Sequence, residues 1–335
     1  MASNIAFSPK EWTVAVQGET EAGTAIITAM FALDVDSISM PSLNVNQQLD
    51  VRGGGSGRTF KSEDFFQDNI MRVTEISLSG RYHDDAAAAG GHEHLIRNIT
   101  GSHGTDPTVP TGYTPDNIAY GSSGHTALQF DTFTLALVAP SVSNAQNIVI
   151  PGCVCTNFAL SADAGTDGGQ YKWSATIQTG KKPDFGETTD TTGNYTVYAN
   201  GNTFVLSTAT AAQVNNADVA LQSFTCTIDN PATFSGVSTT GYQVVNRGAE
   251  CAVTVDCQVK YDANTDAFIN DFDTQGVSPT IMTTDAFYLV SGQGGVEVEN
   301  GVWTNVALSE GDIMMLDISI KAVDNGSDAL VVFDF

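Results

Sequence analysis

The sequence predicts an all-β protein with minor α content: two tandem β-sandwich or barrel modules, each with a short flanking helix. Three observations predict it. Apolar and polar residues alternate with period two over much of the chain, turn residues separate the alternating runs, and the second half repeats the plan of the first in the same order. Asn157-Phe158-Ala159-Leu160-Ser161, followed by the run Tyr171 to Gln178, is echoed by Asn305-Val306-Ala307-Leu308-Ser309 and then Met314 to Lys321. Upstream, Ser37-Ile38-Ser39-Met40 leads through Val73 to Arg81-Tyr82-His83-Asp84, and Ser223-Phe224-Thr225-Cys226 leads through Cys251 to Lys260-Tyr261-Asp262. Asn157 and Asn305 are 148 residues apart and Tyr82 and Tyr261 are 179 apart, so loop lengths differ while the order is kept. A repeat this long is a duplicated domain rather than a solenoid of short units.

Taken in order, the predicted strands are Thr13 to Gln17, Ser37 to Leu43, Arg72 to Tyr82, Leu128 to Val138, Val154 to Ser161 and Tyr171 to Gln178. The second half continues with Thr203 to Ser207, Ser223 to Ile228, Cys251 to Tyr261, Phe287 to Val290, Ile313 to Ala322 and Leu330 to Phe335. In the strongest of them Cys251, Val253, Val255, Cys257, Val259 and Tyr261 alternate with polar residues, the pattern of a strand with one face in a core and one face wet. Helical spacing occurs at two matching places. His92 to Ile99 carries Leu95, Ile96 and Ile99, and Thr265 to Phe272 carries Phe268, Ile269 and Phe272, with Asp262 or Asn264 as the expected N-cap.

This divides the chain into an N-terminal arm at 1–30, module one at 31–180, a polar linker or insertion at 181–219, and module two with a C-terminal strand at 220–335. Two long intervals between adjacent strands, Asn44 to Asn69 and Asp229 to Glu250, are expected to be functional, since compact domains rarely carry long loops otherwise. The first holds Arg52, the Gly53 to Gly57 run with Gly54 at its heart, Arg58, Phe60, Phe65 and Phe66, and the second holds Tyr242 and Arg247. These eight positions are the candidate subunit or inter-ring contacts.

Thirteen Lys plus Arg against thirty-eight Asp plus Glu give a net charge of −25 and a pI near 4.1, which argues against a phosphate-neutralising grip on nucleic acid and against an anionic membrane. The first 23 residues have no basic start followed by an apolar run, and the expectation is a chain that stays in the cytoplasm where it is made. Five cysteines without a secretory signal predict reduced thiols, with Cys153, Cys155, Cys226, Cys251 and Cys257 as small buried hydrophobes.

No catalytic constellation rises above this acidic background, and the chain is read as a non-enzyme with no cofactor and no metal. Gly53 to Gly57 is followed by Arg58-Thr59 where a phosphate loop needs Lys-Ser or Lys-Thr. His83, Asp84, His92, Glu93 and His94 are the richest group of metal-ligand residue types, yet no helical His pair supports them. Asp262, Asn264, Asp266 and Asp273 follow a calcium-loop count but place Ala267 where the turn needs Gly. An adhesive or carbohydrate-binding β protein would cluster exposed aromatics, and Trp12, Trp173 and Trp303 are scattered; a two-domain glycosidase would need a carboxylate pair in a cleft.

The order of segments resembles the tail tube proteins of bacteriophages with long non-contractile tails. The resemblance covers most of the chain and is carried by Trp12-Thr13-Val14-Ala15-Val16-Gln17-Gly18-Glu19-Thr20-Glu21-Ala22-Gly23-Thr24, the Leu78 to Tyr82 strand with its helix, Ile150-Pro151-Gly152-Cys153-Val154, and Phe224 to Asn230. It implies a β sandwich with a flanking helix whose inner strands join those of neighbours into a closed barrel, usually six modules to a ring. The duplication departs from single-module members, so three chains are expected per ring, with six as the alternative. The implied partners are further copies of the chain stacked into a tube, other tail proteins at its ends, and viral DNA passing through without specific binding. The implied location is the virion tail, assembled in the bacterial host cytoplasm.

Overall fold

Alternating side chains make nearly all of the regular structure strand, and two helices fall where the helical spacing predicted them. The computed structural model describes residues 11–41, 46–49, 65–68, 73–84, 91–100, 118–121, 132–139, 147–187, 195–196, 202–236, 244–247, 250–274, 279–291, 294–325 and 329–334. The first half contributes β1 (Thr13–Gly18), β2 (Met30–Leu33), β3 (Ser37–Ile38), β4 (Asn46–Leu49), β5 (Phe65–Asp68), β6 (Thr74–Arg81), β7 (His83–Asp84), α1 (Gly91–Thr100), β8 (Ile118–Gly121), β9 (Phe133–Val138), β10 (Asn147–Asp163), β11 (Lys172–Thr179) and β12 (Asp184–Glu187). Next come β13 (Tyr195–Thr196), β14 (Asn202–Thr203), β15 (Ala209–Val214), β16 (Ala217–Asp218), β17 (Leu221–Asp229), β18 (Thr233–Ser235) and β19 (Val244–Asn246). The chain closes with β20 (Ala252–Lys260), α2 (Asp266–Asp273), β21 (Phe287–Ser291), β22 (Gly294–Val298), β23 (Gly301–Ser309), β24 (Met315–Ala322) and β25 (Ala329–Asp334).

The repeat is structural as well as sequential. In the first half β3, β6, β11 and β10 lie side by side in that order, and in the second half β17, β20, β24 and β23 do the same, all antiparallel. Residue register is also repeated. Ile38 opposes Leu78 as Phe224 opposes Cys257, and Ile76 opposes Ile177 as Val255 opposes Ile320. Phe158 opposes Ala175 as Val306 opposes Ile318, and a bulge falls between Cys155 and Asn157 in one copy and between Trp303 and Asn305 in the other. The extra residue of each bulge is a threonine whose hydroxyl donates to the neighbouring strand, Thr156 to the Thr176 carbonyl at 3.2 Å and Thr304 to the Ser319 carbonyl at 3.0 Å. Tyr82 N–H donates to the Tyr171 carbonyl as Tyr261 N–H donates to that of Met314.

Each repeat covers its four strands with a second sheet. In the first half it is β13-β2-β1-β9 with the N-terminal part of β10, which also pairs β12; in the second it is β16-β15-β21-β22-β25, extended by β8. Thus β1, inside the stretch read as an arm, is a central strand, and β15 and β16, inside the stretch read as a linker, belong to the second half's outer sheet. Phe158, Trp173, Phe224, Phe287 and Phe333 fill the space between layers, and Leu95, Ile96 and Ile99 of α1 are fully buried. Glu19 is buried among four donors, Gly23 N–H at 2.7 Å, Thr132 Oγ1 at 2.5 Å, Thr134 Oγ1 at 2.8 Å and Gly152 N–H at 2.8 Å. Full hydrogen bonding of that kind is what makes a carboxylate tolerable in a core.

Three local expectations change. The Thr203 to Ser207 strand is only β14, because Val205 bridges Gln170 and a 3₁₀ turn begins at Leu206. The N-cap of α2 is Thr265: Asp262 closes a turn onto Asn264 N–H at 3.0 Å, while the Thr265 hydroxyl bonds back to the Lys260 carbonyl at 3.0 Å. Both long intervals contain a two-stranded hairpin, β4 with β5 and β18 with β19.

Candidate functional site: the seam between repeats and its open edges

The last strand of the first four, β10, pairs antiparallel with the first strand of the second four, β17, from Asn157 opposite Asp229 to Asp163 opposite Ser223. This seam turns two four-stranded units into one continuous sheet. Phe158 opposes Ile228, Leu160 opposes Cys226 and Ala162 opposes Phe224, all buried on the core side. Burial pushes the Cys155 thiol up to about 12 although the Arg247 guanidinium pulls the other way, and Cys226 is pushed up to about 12 by burial alone. Thiols held neutral in this way pack as apolar groups, as expected of small buried hydrophobes, while Cys251 is half-buried.

Arg247 fastens the seam from the helix side. It donates to the Cys155 carbonyl at 2.6 Å on β10, to the Asn230 carbonyl at 2.7 Å at the end of β17, and to Asn98 Oδ1 at 3.0 Å on α1. Asn98 accepts from Cys155 N–H at 2.7 Å, and Asn230 donates its amide to the Ile99 carbonyl at 2.7 Å. One guanidinium therefore ties α1, β10 and β17 together in a buried network, where charge-assisted bonds are strongest.

The outer ends of the continuous sheet are β3 and β23. Among the described residues β3 pairs only with β6, and β23 beyond the Met282 to Gly301 bridge pairs only with β24. Apolar side chains stand exposed at both edges, Met40 at 38% beside β3 and Leu308 at 50% on β23. A shallow groove of about 400 Å³ runs beside β3 and is lined by Ser37, Ile38, Ser39, Ser77, Ser79 and Ser174.

The sheet face turned away from the core is short and polar. One cross-strand row runs Arg81, Lys172, Ser161, Thr225, Asp256, Ser319, Asn305. Its cations are matched by acids, with Lys172 on Asp167, Arg81 3.8 Å from Asp36, and Lys321 in a neighbouring row 3.7 Å from Glu250. Asp256 accepts from the Ser319 hydroxyl at 2.5 Å, and Asp317 from the Gln258 amide at 2.7 Å.

Of the residues singled out by sequence, Arg52, Gly54, Arg58, Phe60 and Tyr242 lie outside the described residues. Phe65 and Phe66 begin β5. Arg247 is turned inward, 7% exposed and bonded within its own chain. On α1 itself, His92 packs on the Tyr82 ring at 4.6 Å and His94 on the Phe31 ring at 4.8 Å. Trp173 and Trp303 are buried, so they form no aromatic platform. Sequence reading passed over Met40 and Leu308 because lone exposed apolar residues are ordinary; their signal was positional, since they are the repeat mates of Cys226 and Leu160. It also passed over Asp285, Glu297 and Glu299, whose carboxylate oxygens lie within 4.8 Å of one another, because the fold brings them together from different segments.

Fold and edges together define an all-β protein with minor α content, built of duplicated units whose sheet, among the described residues, is open at both ends. No protein-family model matches the chain, and no curated protein matches it. Among solved structures it is similar to a chain of the tail of an empty GTA particle computed with helical refinement under C6 symmetry, at 12% identity and a TM-score of 0.23, over 37% of this chain and 84% of that one.

Proposed function

We propose that this chain is a structural virion protein that polymerises into stacked rings forming a phage tail tube, a channel through which DNA passes. The observation that carries it is the seam itself. A chain that joins two units of identical strand order and register edge to edge ends in the same two edges, so the operation that builds one copy can continue into the next. Repetition about an axis closes into a ring and leaves no edge to aggregate. The resemblance in sequence supports six units to a ring and hence three copies. The polar face supports a conduit: hydroxyls, amides and ion-paired cations offer duplex phosphates little unpaired positive charge to grip. The loops at Asn44 to Asn69 and Asp229 to Glu250 are assigned to contact between stacked rings.

Electron microscopy of the purified protein tests this. Tubes, or rings of three copies with pseudo-sixfold outline, are expected; a protein that stays monomeric at high concentration in all salts and encloses no bore would overturn it.

A further inference from the structure

The internal seam fixes what the contact between copies must look like, residue by residue. Ile38 is the repeat mate of Phe224, because each opposes a matched residue, Leu78 or Cys257, four positions before a matched tyrosine, Tyr82 or Tyr261. Met40 is therefore the mate of Cys226. Leu308 is the mate of Leu160, because the two lie at the same distance after the shared bulge. Across the internal seam Leu160 faces Cys226. We propose that β23 of one copy pairs antiparallel with the β3 edge of the next in this same register, so that Leu308 faces Met40 and Glu310 faces Ile38.

Two independent observations agree with that register. The first is burial: Leu160 and Cys226 are 1% and 0% exposed, whereas Leu308 and Met40 are 50% and 38% exposed. The repeat puts apolar side chains at both positions of each pair, and only the pair without a partner copy is wet. The second is the direction of the backbone. Ser39 N–H donates to the Ser77 carbonyl and Ser77 N–H donates to the Ser39 hydroxyl at 2.7 Å, so Ser39 turns towards β6 and, by alternation, Ile38 turns its backbone groups outward; Met40, two residues past the end of β3, continues that phase. In the internal seam the matching phase makes the ladder, with Asn230 N–H on the Thr156 carbonyl and Ala164 N–H on that of Gln222. Pro41, which has no N–H, falls in the phase of Ser39 and faces β6, so it does not interrupt the outer ladder. The occupant of the edge is thus a second copy of this chain, and its fit is Leu308 on Met40 in apolar contact, with Glu310 opposite Ile38 at the outer end of the pairing.

This rests on the ring-building reading, and the experiment separates the two. Directly opposed residues of a hydrogen-bonded antiparallel pair have Cα atoms about 5.5 Å apart, within the roughly 4.4 to 6.8 Å that a disulfide spans. The double variant Met40→Cys with Leu308→Cys, assembled and then oxidised, is expected to run on non-reducing gels as a covalent ladder that stops at the closed ring. Ile38→Cys with Glu310→Cys, a second pair in the same register, is expected to link as well. Met40→Cys with Ala307→Cys is expected to link at least about tenfold less, because a shift of one residue puts the side chains on opposite faces. The wild-type protein, with its five cysteines, supplies the background. Tubes that form while neither registered pair links, or while the shifted pair links better, overturn this register and leave the ring reading standing; absence of any ring in the wild-type protein removes both.

Discussion

Arg247 holds three buried acceptors at once, the Cys155 and Asn230 carbonyls and Asn98 Oδ1, of which Asn98 Oδ1 keeps a second donor in Cys155 N–H. Buried acceptors left without donors cost about 1 to 3 kcal/mol each, with strong non-additivity inside one network. Arg247→Met fills much of the same volume and supplies no donor. It is expected to lower unfolding free energy in urea by roughly 3 kcal/mol, and to loosen the tie of α1 to β17, because Asn98 then keeps only its bond from Cys155 N–H. A loss under about 1 kcal/mol would show that the bonds of Asn98 to Cys155 and of Asn230 to Ile99 hold the seam without the guanidinium. In the sequence Arg247 is a candidate contact in a long interval, while its partners come from β10, β17 and α1, which no local pattern joins.

At the scale of elements, what was legible followed from period and order. β20 was readable from Cys251 to Tyr261 because every second residue is apolar, and the helices were readable because Leu95, Ile96 and Ile99 recur with Phe268, Ile269 and Phe272 at the matching place. β15, Ala-Thr-Ala-Ala-Gln-Val, carries too little apolar contrast to announce itself, and becomes a strand because β21 and β16 flank it. β10 was seen only in part, since a 17-residue strand that changes sheet halfway has no single period. The edges β3 and β23 were visible as echoes, yet their meaning required knowing that β10 and β17 pair. Leu308→Lys tests the edge as an element. Half-exposed in one copy, the side chain is expected to change stability by less than about 0.5 kcal/mol, so thermal unfolding of the unassembled protein stays near wild type while tubes vanish, a charge on a sheet edge being a known block to strand pairing. Tubes in normal yield would mean that β23 is not a contact.

For the whole molecule, charge decides how readily copies gather. Each carries a net −25, with 13 cations against 38 acids, and in the described residues Arg81, Lys172 and Lys321 are already set against acids of their own chain. Long-range repulsion between copies therefore opposes association, while the seam proposed to overcome it is apolar side chains and backbone ladder, which salt does not weaken. Raising ionic strength from 0.01 to 0.15 M shortens the screening length from about 30 to about 8 Å. The protein concentration at which tubes first form, read by sedimentation, is expected to fall at least severalfold over that range. The opposite sign would follow if Arg52 and Arg58, meeting acidic partners on an adjacent ring, supplied most of the attraction, because screening then removes the attraction faster than the repulsion. A rise in that concentration with salt would accordingly shift the assembly force from the sheet edges to the loop cations. Repeating the titration with Arg52→Ser and Arg58→Ser would then reverse the salt effect, leaving only screened repulsion, whereas under edge-driven assembly the same pair of substitutions leaves its sign unchanged and makes it steeper, the net charge having become more negative.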